Sequence, residues 1–178
     1  MLALKPHPDF PGRAVRAITI DAGRKAGGEL ILRFQVEGDL GAVIWPGFDK
    51  PPERADYLWQ HSCFEAFIGF DEALGYYEFN YATSMQWAVY RFDDYRAGMR
   101  DADATPVWGH ANPESGFSEC HFTVRDLDER GEWHLGLSAV IEEKDGTKSY
   151  WALAHAPGKP DFHNRDCFIA RLPAPDAP

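Results

Sequence analysis

The chain has 178 residues, a formal net charge of −10 and an isoelectric point near 5.1. This length is typical of one domain with a hydrophobic core large enough to need no disulfide or metal for stability. The acidic balance argues against nucleic-acid and anionic-membrane partners, because both require a basic surface.

The sequence contains no recognisable secretory signal or membrane span. Its start, MLALKPHPDFPG, has no basic segment followed by a long apolar run, and no apolar stretch of about 18 residues follows. We therefore expect a soluble, cytoplasmic protein. Cys63, Cys120 and Cys167 are far apart and lack metal-ligand spacing, which predicts three buried free thiols.

The first third of the chain predicts a proline-rich arm followed by strands. The arm covers residues 1–13, and apolar residues then recur at every second position, as in Leu30, Leu32 and Phe34. Such alternation is typical of a strand with one buried face. We predict strands over 14–20, 29–37 and 40–45, followed by a long loop over 46–57 whose prolines exclude it from a sheet interior.

The segment Tyr57–Arg96 is rich in aromatic residues and has Glu65, Glu78 and Asn80 between them. Alternation at every second position continues through residues 63–68, 76–81 and 87–92, and the short connections between these segments are typical of antiparallel neighbours. Each of these strands therefore presents one apolar face and one face that mixes polar groups with aromatic rings. The sequence predicts a three-stranded meander at the centre of the fold.

The second half of the chain continues the same pattern. Strands are predicted over 117–124, 133–141 and 150–154, and Asp-Gly at 145–146 indicates the hairpin between the last two. A second long loop over 155–166 precedes a final strand at 167–172 and a flexible tail at 173–178. About ten short strands predict an all-β, single-domain antiparallel β-sandwich over 14–172, of jelly-roll or immunoglobulin-like kind, with long loops and little helix.

Two loops bring candidate ligand-binding residues. The first presents Trp59, six residues before Glu65, and the second presents Phe162. If both loops open at one end of the sandwich, the two rings can clamp the apolar faces of a sugar. Polar side chains can then bind its hydroxyl groups; we expect this role for Glu65, Asn80, Asn164 and Arg165.

A purely structural interpretation explains the same residues. Aromatic residues have high strand propensity and stabilise sheets through cross-strand pairs. Trp59 and Phe162 could therefore simply close the end of the sandwich. Arg165 could form a structural ion pair with Asp166 or Glu65.

The residues also resemble a known family. LWQHSCFEAFI at 58–68 and YYEFNYATSMQWAVY at 76–90 are similar to DOMON-like domains related to the family-nine carbohydrate-binding modules. Trp59, Glu65 and Asn80 match the first motif, whereas Phe162 and Phe168 match the second with Phe in place of the usual Trp. The resemblance implies a non-catalytic β-sandwich that binds a mono- or disaccharide between two aromatic rings. Glu78 stands where those modules tend to have Arg.

Three alternatives remain open from the sequence. Related DOMON domains bind haem through Met and His, which Met85 with His155 or His163 could provide. Glu65 with Asp166 or Glu78 could act as the paired carboxylates of a glycosidase. A structural calcium could be held by acidic residues of an irregular segment, which are Asp93, Asp94, Asp101 and Asp103.

Overall fold

A computed structural model describes residues 1–47, 52–71, 73–125, 127 and 131–174. Within these residues the chain forms twelve strands and three 3-10 turns of three residues each. The strands are β1 (Leu2–Pro6), β2 (Val15–Lys25), β3 (Glu29–Gly38), β4 (Cys63–Gly69), β5 (Tyr76–Tyr81), β6 (Trp87–Phe92), β7 (Arg100–Asp101), β8 (Ala104–Asn112), β9 (Phe117–Val124), β10 (Trp133–Glu142), β11 (Lys148–Ala152) and β12 (Ala170–Leu172). The 3-10 turns cover Leu40–Ala42, Leu58–Gln60 and Arg165–Cys167.

The strands form one hydrogen-bonded path in which all neighbours are antiparallel. Its order is β7-β6-β5-β4-β10-β11-β1-β2-β3-β9-β8, and β12 pairs with β10. The path curls into a half-barrel, so that its two halves face each other. Phe34 of β3 stacks on Phe64 of β4 with ring centroids 4.4 Å apart, although four other strands separate β3 from β4 along the path. The prediction of an all-β chain with little helix is confirmed.

The main core lies between the two halves of the curled sheet. Alternate residues of the predicted strands are buried there, including Ile18, Leu32, Phe79, Phe122 and Leu137. Each of these side chains is at most 2% exposed. Burial of large apolar side chains on this scale is the dominant stabilising contribution to a domain of this size.

The strands of the meander are buried on their other face as well. Every residue of β4 and β5 is buried. A second apolar cluster covers this outer face; its members are Phe67, Tyr76, Ala88, Tyr90, Phe92 and Phe168, with Trp59 and Phe162 packed against them. The polar residues of this face are therefore enclosed beneath loops.

Three local predictions were wrong. The N-terminal arm contains β1, whose first residues pair with β2 and whose last residues pair with β11, so it joins the two halves of the sheet. Residues 40–45 form a 3-10 turn and a single bridge at Val43 in place of a strand. The last strand is confined to β12, because residues 165–167 form a 3-10 turn.

Some predictions lie partly outside the described residues. These are the loop over 46–57, of which 48–51 are not described, and the tail over 173–178, of which 175–178 are not described. No helix in the described ranges is long and apolar enough to cross a membrane.

Candidate functional site

A cavity of about 700 Å³ lies against the outer face of the meander. Its base consists of side chains from β4, β5, β6, β10 and β11, and segments near residues 59–61, 96–99 and 160–163 surround it. The lining residues are Trp59, Gln60, His61, Glu65, Phe67, Glu78, Phe92, Arg96, Met99, Val140, Lys148, Tyr150, Pro160, Phe162 and His163. We expected a cleft at the end of the strands. The cavity instead lies across a strand face, because the two long loops fold back over the sheet.

The two predicted aromatic residues, Trp59 and Phe162, line this one cavity. Trp59 lies in the 3-10 turn 58–60 and makes an edge-to-face contact with Tyr90 at 5.9 Å between ring centroids. Phe162 lies in the late loop and contacts Tyr150 at 6.2 Å. Both rings are partly buried, so each retains a surface that a ligand can contact. Their role in binding stays a prediction.

Two carboxyl groups, those of Glu65 and Glu78, lie at the base of the cavity. Glu65 on β4 pairs with Asn80 on β5, two residues from Glu78, so both acids are diagonal neighbours on one face. Their residues are 3% and 5% exposed. The Ser138 hydroxyl donates to Glu65 Oε2 at 3.1 Å, and Asn80 Nδ2 donates to Glu78 Oε1 at 2.8 Å.

Burial is the main influence on the protonation of both acids. It raises the pKa of Glu65 and the pKa of Glu78 above the usual value, because a buried carboxylate loses its hydration. The negative charge of Glu78 raises the pKa of Glu65 further, whereas the positive charge of Arg96 acts on both pKa values in the opposite direction. A pair of this kind can hold a proton near neutral pH and can both donate and accept hydrogen bonds.

His163 is a cavity residue that sequence reasoning assigned only to a haem site. Its Nδ1 lies 2.7 Å from the Tyr76 hydroxyl, and its Nε2 lies 3.8 Å from Glu78 Oε2. The Tyr76 hydroxyl accepts from the Arg96 amide at 3.1 Å, which leaves its own proton for His163 Nδ1. Burial lowers the pKa of His163 to about 4, so the ring is neutral at pH 7.

Three of the six predicted binding residues do not line the cavity. Asn80 is fully buried behind Glu78 and orients that carboxyl group. Asn164 caps a 3-10 turn, where its Oδ1 accepts from the Asp166 amide at 3.0 Å. Arg165 donates to the backbone carbonyls of Phe70 and Ala73 and so fixes the late loop to the β4–β5 connection. Both side chains therefore make contacts that shape the late loop, and their role in ligand binding stays a prediction.

Several cavity residues had no signal of their own in the sequence. Arg96, Lys148 and Tyr150 come from segments on which no site was predicted. Only the alternation of β11 could have found two of them. It places Lys148 and Tyr150 on the face opposite the buried Trp151.

The Met and His residues considered for haem binding contact other protein groups, and their role as haem ligands stays a prediction. Met85 packs against the main core, where its Sδ accepts from the Tyr81 hydroxyl at 2.8 Å, and it is absent from the cavity lining that contains His163. His155 Nε2 lies 2.8 Å from the Lys5 carbonyl. In the ranges that the structure describes, no three acidic, His or Cys side chains converge as metal ligands.

The four aspartates considered for calcium have other partners. Asp93 pairs with Arg100, Asp101 with Arg54, and Asp103 with Arg125. The Asp94 carboxylate accepts from the Tyr95 amide at 2.7 Å.

Comparison with known proteins gives a likeness in fold. No protein-family model matches the chain, and no curated protein matches it. A solved structure from Bacteroides uniformis, described as a "putative carbohydrate-binding protein", is similar with a TM-score of 0.58 and 14% sequence identity. The match covers 93% of this chain and 84% of that chain. At this identity, the likeness concerns the fold.

Proposed function

We propose that this protein is a non-catalytic binding domain of the DOMON-like β-sandwich kind, whose cavity takes a mono- or disaccharide between Trp59 and Phe162. One observation carries the proposal: aromatic residues from two segments about a hundred residues apart line the same cavity as two buried carboxyl groups. The carbohydrate-binding description of the Bacteroides uniformis protein supports it.

The composition of the cavity suits a saccharide for physical reasons. The apolar C–H faces of a pyranose pack on aromatic rings, whereas its hydroxyl groups need donors and acceptors around the ring edge. Aromatic surface is supplied by Trp59 and Phe162, and hydrogen bonds by Glu65 and Glu78. A volume of about 700 Å³ lies within the ordinary range of small-molecule sites. Gln60, His61 and Met99 are exposed at its edge, so a ligand has a route from solvent.

Tryptophan fluorescence tests the proposal directly. Saccharides are titrated into the wild-type protein, Trp59→Ala, Phe162→Ala and the control Trp108→Ala. Trp108 is 50% exposed on β8 and lies outside the cavity lining, so the control removes the same ring elsewhere. We expect each cavity variant to weaken binding by at least about tenfold, since stacking rings at the centre of a site contribute 1.4 kcal/mol or more.

Two results would overturn saccharide binding. One is the absence of any response by the wild-type protein to a broad set of neutral, amino and acidic sugars. The other is equal binding by Trp59→Ala, Phe162→Ala and Trp108→Ala, which would locate the ligand elsewhere.

A second candidate function, glycoside hydrolysis, is favoured by the acid pair. The two acids are diagonal neighbours on adjacent strands, so their carboxyl groups can reach the separations of about 5–9.5 Å that glycosidases use across the scissile bond. One acid would protonate the leaving oxygen while the other takes a proton from the attacking water. Release of chromophore from aryl glycosides, lost in Glu65→Gln and Glu78→Gln, is the expected result. No turnover of α- and β-linked substrates by the wild-type protein would exclude this candidate.

A further inference from the structure

The charges that line the cavity are unequally matched. Arg96 donates to Asp161 at 2.8 Å, and Lys148 lies 3.7 Å from Glu142. Neither Asp161 nor Glu142 belongs to the cavity lining, so Arg96 and Lys148 are each paired with a carboxylate outside the lining. Among the residues that the structure describes, no Lys or Arg lies within salt-bridge distance of Glu65 or Glu78, and only His163 approaches Glu78, at 3.8 Å. His163 does not serve as a counterion, because it is neutral.

One carboxyl oxygen of Glu65 is available to a ligand. The Ser138 hydroxyl donates to Oε2, and in the part of the chain that the structure describes no donor lies within hydrogen-bond distance of Oε1. Glu78 Oε2 has His163 Nε2 at 3.8 Å, beyond an ordinary hydrogen bond. Neither oxygen is among the fully enclosed polar atoms that lack a partner, and both residues line the cavity, so a ligand donor can reach them.

The rings around the acid pair favour a positive charge in the same place. Phe67 and Phe92 lie on the strands that flank Glu78, and Tyr150 and Phe162 complete the apolar wall. The faces of aromatic rings carry negative electrostatic potential and attract ammonium groups, most strongly where water is excluded. Carboxyl groups surrounded by aromatic rings therefore form a site for a cation with an apolar body.

We infer that the saccharide taken by this cavity carries a protonated amine, and that this ammonium group lies between Glu65 and Glu78. The inference rests on the proposed saccharide function and adds the class of sugar. An ammonium group has three donors, which match Glu65 Oε1 and Glu78 Oε2 and leave one for solvent or for a ring face. A neutral hydroxyl group supplies one donor and no charge.

Binding of the ammonium group has a consequence for protons. The empty site holds protons on its buried carboxyl groups near neutral pH, and a neighbouring positive charge favours their ionised form. The ligand therefore displaces a proton to the buffer. The other titratable groups near the pair do not reverse this. Burial raises the pKa values of Tyr76, Tyr90 and Cys63, so these groups stay protonated, while Arg96 stays charged and His163 is already neutral.

Matched sugars and isothermal titration calorimetry test the inference at pH 7. The amine-bearing probes are D-glucosamine and 6-amino-6-deoxy-D-glucose, and the uncharged probes are D-glucose and N-acetyl-D-glucosamine. We expect at least one amine to bind about tenfold or more tighter than its uncharged match, as charge-assisted hydrogen bonds in a buried site allow. Titrations in two buffers of different ionisation enthalpy should show release of a substantial fraction of a proton per bound amine.

Variants that replace one carboxyl group with an amide test whether the preference for the amine depends on Glu65 and Glu78. Glu65→Gln and Glu78→Gln keep the side-chain length and should remove most of the preference for the amine. Glu114→Gln makes the same change at an exposed position of the β8–β9 turn and should retain it. Circular dichroism checks that each variant is folded. If Glu65→Gln or Glu78→Gln does not fold, the proton release measured for the wild-type protein still tests the inference.

The outcomes separate this inference from the function on which it rests. Equal affinity for charged and neutral sugars, or no proton release, overturns the inference that the saccharide carries an amine and leaves the saccharide proposal intact. If tetramethylammonium binds and none of the sugars does, the saccharide proposal is overturned and, with it, the sugar class inferred here. Failure of every probe overturns both.

Discussion

The substitution Glu65→Gln should make the stability of the protein less dependent on pH. The wild-type acid is buried beneath the cavity, and its ionised form is penalised in the folded state. Glutamine keeps an oxygen that can accept from the Ser138 hydroxyl, which lies 3.1 Å from the wild-type carboxyl group. The variant therefore resembles the protonated acid in shape and hydrogen bonding but cannot ionise.

The size of the effect follows from the pKa of Glu65, which rises from 4.5 in the unfolded chain to about 8 in the fold. Below pH 4.5 the group is protonated in both states and adds no penalty. Between pH 4.5 and pH 8 the unfolded chain loses its proton first, so the free energy of unfolding of the wild-type protein falls as pH rises. At 1.36 kcal/mol per pKa unit, the full loss above pH 8 is about 5 kcal/mol as an upper value.

Urea unfolding at pH 5 and at pH 8.5 measures this difference. Tryptophan fluorescence and circular dichroism give the midpoint and slope for the wild-type protein, Glu65→Gln and the exposed control Glu114→Gln. We expect Glu65→Gln to gain about 2–5 kcal/mol over the wild-type protein at pH 8.5 relative to pH 5. The control should show no comparable gain.

A variant-minus-wild-type difference that is the same at both pH values would refute this reasoning. It would mean that Glu65 ionises as easily in the fold as in the unfolded chain. The buried acid pair would then lose its main support as a proton-holding site.

Three further predictions concern packing. A Cβ on Gly136 would lie 2.6 Å from the Phe168 ring, so Gly136→Ala should lower the free energy of unfolding, measured by urea titration, by about 1–3 kcal/mol. The control is Gly23→Ala, whose Cβ would have its nearest neighbour at 4.0 Å, and it should change the free energy of unfolding little. Phe34→Ala removes a ring stacked on Phe64 across the core and should cost about 3–5 kcal/mol, and a loss below 1 kcal/mol would contradict this packing. The three buried thiols should react with Ellman's reagent far more slowly in the native protein than in urea, and equally fast labelling would contradict their burial.

The alternation of residues predicted most of the strands because it reports directly which side chains leave water. In β4 it correctly separates Phe64, Ala66 and Ile68, which enter the core, from Glu65 and Phe67 on the other face. The same local rule missed β1. A strand of five residues that ends at Pro6 has too few residues to show a period, and one of its two pairing partners, β11, lies far along the chain.

The candidate site shows a similar division. Trp59, Glu65 and Phe162 were identified from residue type and position, and they line one cavity. Residue type and position could not separate them from Asn164 and Arg165, which lie in the same loop as Phe162. The same residue types can fix a loop or face a ligand, so only the fold of the loop shows which role a side chain has.

By itself, the amino-acid sequence determined that the chain is all-β, that its thiols are buried, and that aromatic and acidic residues share a strand face. These properties follow from local periodicity and from the cost of exposing apolar groups to water. The tertiary structure decided that the loops cover a strand face and that Glu65 lies against Ser138, 73 residues away. Contacts of that range depend on register and loop closure, which are set by the whole chain at once.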